Sequence, residues 1–155
     1  MVLKGAEMRL GFYVDKVAET ELNKSIYELL NNAIIKNEIS DGCLFYNEVD
    51  FCSSKKMFGT FNSTDLWFFS GTLVVTALSL LPLASNIVNK IKMVFLYDKS
   101  TMQKGNVGEL LDLISINKNI KILSRDEESE KEFFRLTGKT APVLNEFSAA
   151  QFLKV

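Results

Sequence analysis

Asp15 and Asp98 each follow an apolar run, "MRLGFYV" (8–14) and "IKMVFLY" (91–97). An aspartate at a strand end can act as acid, base or magnesium ligand, so two of them on adjacent strand ends would form a carboxylate pair. Lys16 and Lys99 stand beside them, and Ser124 and Arg125 end a third run, "IKIL" (120–123). "FFSGT" (68–72) offers different chemistry. At a strand-to-helix turn, Gly71 between Ser70 and Thr72 lets an anion approach free backbone N–H groups at the positive end of a helix. Each feature also has a plainer use. Strand-end aspartates are common turn and capping residues, and Ser-Gly-Thr can serve only as a tight turn whose small residues let a helix pack. The helix after Ser124 opens with Asp126, Glu127, Glu128 and Glu130. These complement its dipole and repel phosphate, so its role reads as structural.

Composition narrows the chemistry further. The 155 residues include no histidine, which removes histidine general bases, Ser-His and Cys-His nucleophile pairs, and the usual zinc, copper and non-haem iron ligand sets. Cys43 and Cys52 are too few for a zinc site or a disulfide framework, and point to a reducing, cytoplasmic setting. Cys43, within "GCLFYN", reads as a buried thiol. No G-x-G-x-x-G follows the first apolar run, there is no G-x-x-x-x-G-K-[ST], and "GNVG" (105–108) is an isolated spacing. The residues imply no metal and no cofactor. Lys plus Arg number 18 against 19 Asp plus Glu, so the chain carries no electrostatic footprint for nucleic acid or an anionic membrane. The one cationic cluster, Lys55 and Lys56, reads as a solvated start to a strand.

The elements that must position these residues follow from periodicity. Strands are predicted over 8–14, 42–47, 57–61, 66–69, 91–97, 120–123 and 141–144. A helix is expected over 19–37, where Leu22, Ile26, Leu29, Leu30, Ala33 and Ile34 make one apolar stripe. Others are expected from Asn106 as N-cap, from Ser124 (with Glu127 at capping-box spacing) to Thr137 with Gly138 as the stop, and over 148–153. The uncharged run 66–89 is long enough to cross a bilayer, which takes about 20 apolar residues. Its texture favours a strand, a glycine turn and a two-sided helix from Thr72, with polar Thr72, Thr76, Ser79 and Asn86 opposite Leu73, Ala77, Leu80, Ala84 and Val88. Pro82 would kink that helix or begin a second short one ending near Asn89. Trp67, Phe68 and Phe69 read as core aromatics, with Trp67 a partner contact if it faces outward.

Strands alternating with helices specify an α/β fold: a single three-layer, Rossmann-like domain over residues 8–155 with a mainly parallel sheet, residues 1–7 forming a leader. Ligands on such sheets collect outside the carboxyl ends of the strands. That places Asp15, Lys16, Ser70, Gly71, Thr72, Asp98, Lys99, Ser124 and Arg125 on one candidate site.

"MRLGFYVD", "STDLWFFSGTLVVTAL", "KMVFLYD" and "KILSRDEESEKEFFRLTGKTAPVLNEF", in that order, resemble the N-terminal, acceptor-side Rossmann domain of GT-B glycosyltransferases, in particular the small glycosyltransferase-like proteins of tailed phages. Most of the likeness lies in Ser124, Gly138, Asn145 and Phe147. GT-B enzymes hold the nucleotide sugar in a second Rossmann domain and often use an acceptor-side histidine, and neither is found here. The resemblance therefore implies half an enzyme or a descendant that has lost catalysis. Three functions are compatible with this. One is a non-catalytic binding or assembly module with a protein partner or a homo-oligomer, for which 145–155 is the first segment to suspect unless it docks on its own sheet. Another is an acceptor-side subunit taking a sugar or nucleotide, and the third a small nucleotide or flavin binder. Fold alone does not choose among them.

Overall fold

The computed structural model describes residues 8–87, 91–101, 107–116 and 119–155. Six parallel strands form one sheet in the order β3-β2-β1-β4-β5-β6: β1 (Arg9–Val17), β2 (Asp41–Val49), β3 (Gly59–Asn62), β4 (Gly71–Val75), β5 (Ile91–Tyr97) and β6 (Lys121–Ser124). The chain builds outward from β1 to β3, then returns to β1's other side with β4. The sheet therefore reverses direction between β1 and β4, the topological switch point of a doubly wound fold. The predicted leader, the Asn106 cap and a helix end at Asn89 all lie outside the described residues.

Side-chain alternation along β1 sets up the three layers. Leu10, Phe12 and Val14 face the side covered by α1 (Glu21–Ile35) and α5 (Ala149–Leu153), whereas Tyr13 faces the opposite core. That second core is closed by Leu81 and Ala84 of α2 (Leu81–Ser85), Leu110 of α3 (Val107–Ile116) and Phe133 of α4 (Glu127–Thr137). Phe152 of α5 is fully buried and meets the Phe12 ring edge-on at 5.3 Å, a geometry worth about 0.5–1.5 kcal/mol beyond the area it buries. The C-terminal segment is thus docked on its own sheet, which removes Phe152 as a partner contact.

The expected strand at 66–69 and helix from Thr72 are not what forms. Ser63–Phe68 is a 3-10 helix, opened by Asn62, whose side chain accepts from the Thr64 N–H, and β4 occupies 71–75. Thr72, Val74, Val75 and Thr76 are β-branched and suit an extended chain. Because β4 is buried on both faces, Leu73 and Val75 enter one core and Val74 the other, and the strand shows no clean period of two. Thr72 and Thr76, read as the polar stripe of a helix, are buried. Pro82 sits in the opening turn of α2, where its missing N–H costs no helical bond. Of the three aromatics read as core, only Phe69 is buried, while Trp67 is 42% and Phe68 83% exposed.

Helix ends hold more closely to expectation. α1 starts one residue after Thr20, whose hydroxyl accepts from the Asn23 N–H, and Gly138 ends α4 at φ 72°, a left-handed geometry that favours glycine. The α4 cap is Asp126 instead of Ser124: its carboxylate accepts from the Ser129 N–H at 2.8 Å. Ser124 cannot cap because it is the last residue of β6, where its hydroxyl donates to the Ala141 carbonyl and it bridges in parallel to Val143. The Ser129 N–H, together with the Ser129 hydroxyl and nearby Arg125 and Lys99, holds the Asp126 carboxyl below its ordinary value against a partial loss of solvation. A carboxyl depressed on folding stabilises above its unfolded pKa, and that contribution is lost as pH falls through the folded value. Asp126→Ala is therefore expected to cost about 1 kcal/mol near neutral pH. In urea melts at a series of pH values, its deficit should shrink toward zero as the solution is acidified below the carboxylate range.

Candidate functional site

A cleft of about 950 Å³ opens at the carboxyl ends of β1, β4, β5 and β6, across the switch point. Its walls come from four chain segments. The end of β1 and the start of α1 contribute Asp15, Lys16, Thr20, Glu21 and Asn23, and the turn after β4 contributes Thr76, Ala77 and Ser79. Asp98, Lys99 and Ser100 follow β5, and Arg125, Asp126 and Glu128 join β6 to α4. Five carboxylates face three cations, so the lining is polar and net acidic.

The walls are held by bonds that the loops make to buried backbone. Asn23, buried in α1, donates to the Lys16 carbonyl at 2.8 Å, and Tyr27 donates to the Ala18 carbonyl at 2.9 Å. Burial pushes the Tyr27 hydroxyl well above its ordinary pKa, so it stays a donor. Thr76 reaches across to β1, both its N–H and its hydroxyl donating to the Tyr13 carbonyl. The Arg125 N–H donates to the Tyr97 carbonyl, and the Lys99 N–H to the Ser129 hydroxyl, which ties the ends of β5, β6 and α4 into one unit.

Asp98 is the most constrained group in the cleft. Its side chain is 4% exposed, and its carboxylate takes Arg125 Nη1 at 2.8 Å on one oxygen and the Ser100 N–H and hydroxyl on the other. Burying a carboxylate this deeply is tolerable only with such compensation. The other guanidinium nitrogen of Arg125 lies 4.0 Å from Glu21 of α1, so Arg125 spans the space between the β5 end and the opposite wall.

The structure gathers Asp15, Lys16, Asp98, Lys99 and Arg125 in this cleft and separates the other candidates from it. Asp15 and Asp98 do not form a pair on adjacent strands. β4 intervenes, so their strands lie two spacings apart, about 10 Å. Asp15 accepts instead from the Asn47 side chain on β2. Ser124 is completely buried beneath the site. Ser70, Gly71 and Thr72 lie at the opposite, amino end of β4, where Ser70 accepts from Arg9 and Thr72 is paired with Leu10 and Lys92. Placing the strand five residues too early put this triplet at the wrong end of the sheet. The residues missed for the same reason are Thr76, Ala77 and Ser79, and the β-branched run "TLVVT" (72–76) was the signal that could have found them.

Both helices that open onto the cleft begin with a side-chain cap and acidic residues, which disfavour an anion there. α1 is capped by Thr20 with Glu21 in its first turn, and α4 by Asp126 with Glu127, Glu128 and Glu130 behind it. No glycine separates β1 from α1, so a pyrophosphate could not approach the backbone as it does in dinucleotide-binding sheets of this strand order. Among the described residues, no group of three or more Cys, Asp or Glu side chains is placed to hold a metal ion. The thiols lie outside the cleft lining. Burial pushes Cys43 up to about 11. For Cys52 burial acts in the same direction, but the Ser54 backbone N–H and the Lys56 ammonium, 3.2 Å from Sγ, outweigh it and lower the pKa. Among the described residues no helix is long and apolar enough to cross a membrane. Comparison of the chain with protein-family models, curated proteins and solved structures finds no match.

Proposed function

We propose that this chain is a binding module that takes a small, hydroxyl-rich, uncharged or amino-bearing molecule in the switch-point cleft. The observation that carries the proposal is the cleft itself: about 950 Å³ at the ligand-collecting end of the sheet, lined by hydroxyls, an amide and an excess of carboxylates. Carboxylate, hydroxyl and amide side chains recognise sugar-like hydroxyls by hydrogen bonds, and the net negative lining attracts an ammonium and repels phosphate. This favours an acceptor-type sugar over a nucleotide or flavin phosphate, in keeping with the resemblance to the acceptor-side half of GT-B enzymes. Asp98, the most buried acid of the site, is already committed to Arg125 and Ser100. Binding, with no proton transfer from Asp98, is the role that this arrangement supports.

The test is amide chemical-shift mapping of the full chain titrated with glucosamine, glucose and glucose 6-phosphate. The expected order of affinity is amino sugar, then neutral sugar, then sugar phosphate, with shifts centred on Asp15, Thr76, Ala77 and Ser100. Asp15→Asn should narrow the gap between the first two. Tighter binding of the phosphate, or shifts that avoid the cleft, would sink the proposal.

A further inference from the structure

The two edges of the sheet are finished differently. At the β6 edge, Ser124 bridges to Val143 and the chain that follows covers the strand end. At the other edge, β3 has β2 on one side and, among the described residues, no strand on the other. Thr60, Phe61 and Asn62 are exposed. Natural edges are usually blunted by lysine, proline or a bulge. Here no charged residue and no proline occurs from Gly59 to Thr64, and shortness is the strand's main protection.

The surface beside this edge is apolar. Phe68, 83% exposed, stands next to a hollow of about 340 Å³ whose walls include Phe45, Phe61 and Phe69. The rim of the hollow carries both signs. The Arg9 guanidinium contacts Ser70 at 3.2 Å and Asp41 at 3.4 Å and lies over the Phe69 ring, 5.4 Å from its centroid, while its Nε is a buried donor with no acceptor among the described residues. Asp65 is an exposed carboxylate on the same rim.

We infer that a second copy of this chain docks here, β3 against β3 about a two-fold axis, extending the sheet across the dimer. A two-fold contact requires one patch to carry both a projection and its receptacle. The β3 edge does so, with Phe68 projecting beside the aromatic hollow and the Asp65 carboxylate beside the Arg9 guanidinium, whose side chain is 29% exposed. The uncharged strand opposes no like charges when laid against itself, whereas a strongly charged partner would find little to pair with. Each Phe68 ring packs into the partner's hollow, and Asp65 answers the partner's Arg9.

Sedimentation equilibrium of the full chain tests this. The wild type is expected at twice the 17.5 kDa chain mass, and Phe68→Glu and Thr60→Lys should each halve it. Both residues are exposed in the single chain, so circular dichroism melts of the variants should still show a cooperative transition. A wild type that stays at 17.5 kDa up to its solubility limit overturns the inference. So does a dimer that survives both substitutions, since its interface would then lie elsewhere.

Discussion

Gly71→Val is expected to be the most damaging single substitution in this chain, costing about 4 kcal/mol or more in equilibrium denaturation, a large share of a domain's total stability. Gly71 has φ 129°, a backbone conformation that an L side chain adopts only with strain. A Cβ there would stand 2.6 Å from the Arg9 carbonyl oxygen and 2.9 Å from the Arg9 Cβ. The nearest obstacle is backbone in the central strand of the sheet, with β2 and β4 on either side, so it cannot step aside as a surface side chain could. Gly71→Ala meets the same Cβ contact without the second branch and should lose somewhat less. The damage is to folding and not to the cleft, because Gly71 begins β4 at the end of the sheet remote from it. Whatever fraction of Gly71→Ala remains folded should bind cleft ligands with wild-type affinity. A Gly71→Val protein as stable as the wild type would show that the β1–β4 approach is looser than these distances require.

Arg125→Met is expected to cost about 3 kcal/mol, because it strands the Asp98 carboxylate in a site where its side chain is only 4% exposed. Ser100 would still donate two hydrogen bonds, which is why the loss falls at the lower end of what breaking a buried pair costs. Adding Asp98→Asn should recover much of that loss, since asparagine carries no charge and its carbonyl can still accept from Ser100. Urea denaturation of the four proteins in this double-mutant cycle measures the coupling directly. Strictly additive losses would show that the 2.8 Å contact contributes nothing of its own. Arg125→Met also frees the space between Asp98 and Glu21, so a cationic cleft ligand should bind the folded variant more tightly, its ammonium replacing the guanidinium.

Much of the architecture was legible because it is written in local patterns. β5 appears over the same residues, 91–97, that its apolar run marked, and α1 carries the predicted stripe, with Leu22, Ile26, Leu29, Leu30 and Ala33 all buried. Gly138 stops α4 as its position indicated. The failure was concentrated at 63–85, where a 3-10 helix, a doubly buried strand, a second 3-10 turn (Leu78–Leu80) and a five-residue helix follow one another. Each is too short to establish a period, and burial on both faces of β4 removes the polar markers that would fix one. That error moved Ser70, Gly71 and Thr72 to the carboxyl end of the sheet, when they lie at the amino end, and hid Thr76, Ala77 and Ser79.

By itself, then, the sequence determined the class of fold, the run of most of its strands and helices, and the chemistries closed to a chain without histidine or phosphate loops. These are properties of composition and of spacing within a single element. Only the tertiary structure decided that Asp15 and Asp98 stand apart with β4 between their strands, that Arg125 neutralises Asp98, and that Asp126 caps α4. It also decided that Phe68 faces outward while Phe152 turns inward. Each of these depends on which segments the strand order brings side by side, and that order arises from contacts between residues distant in the chain, which leave no local period to read.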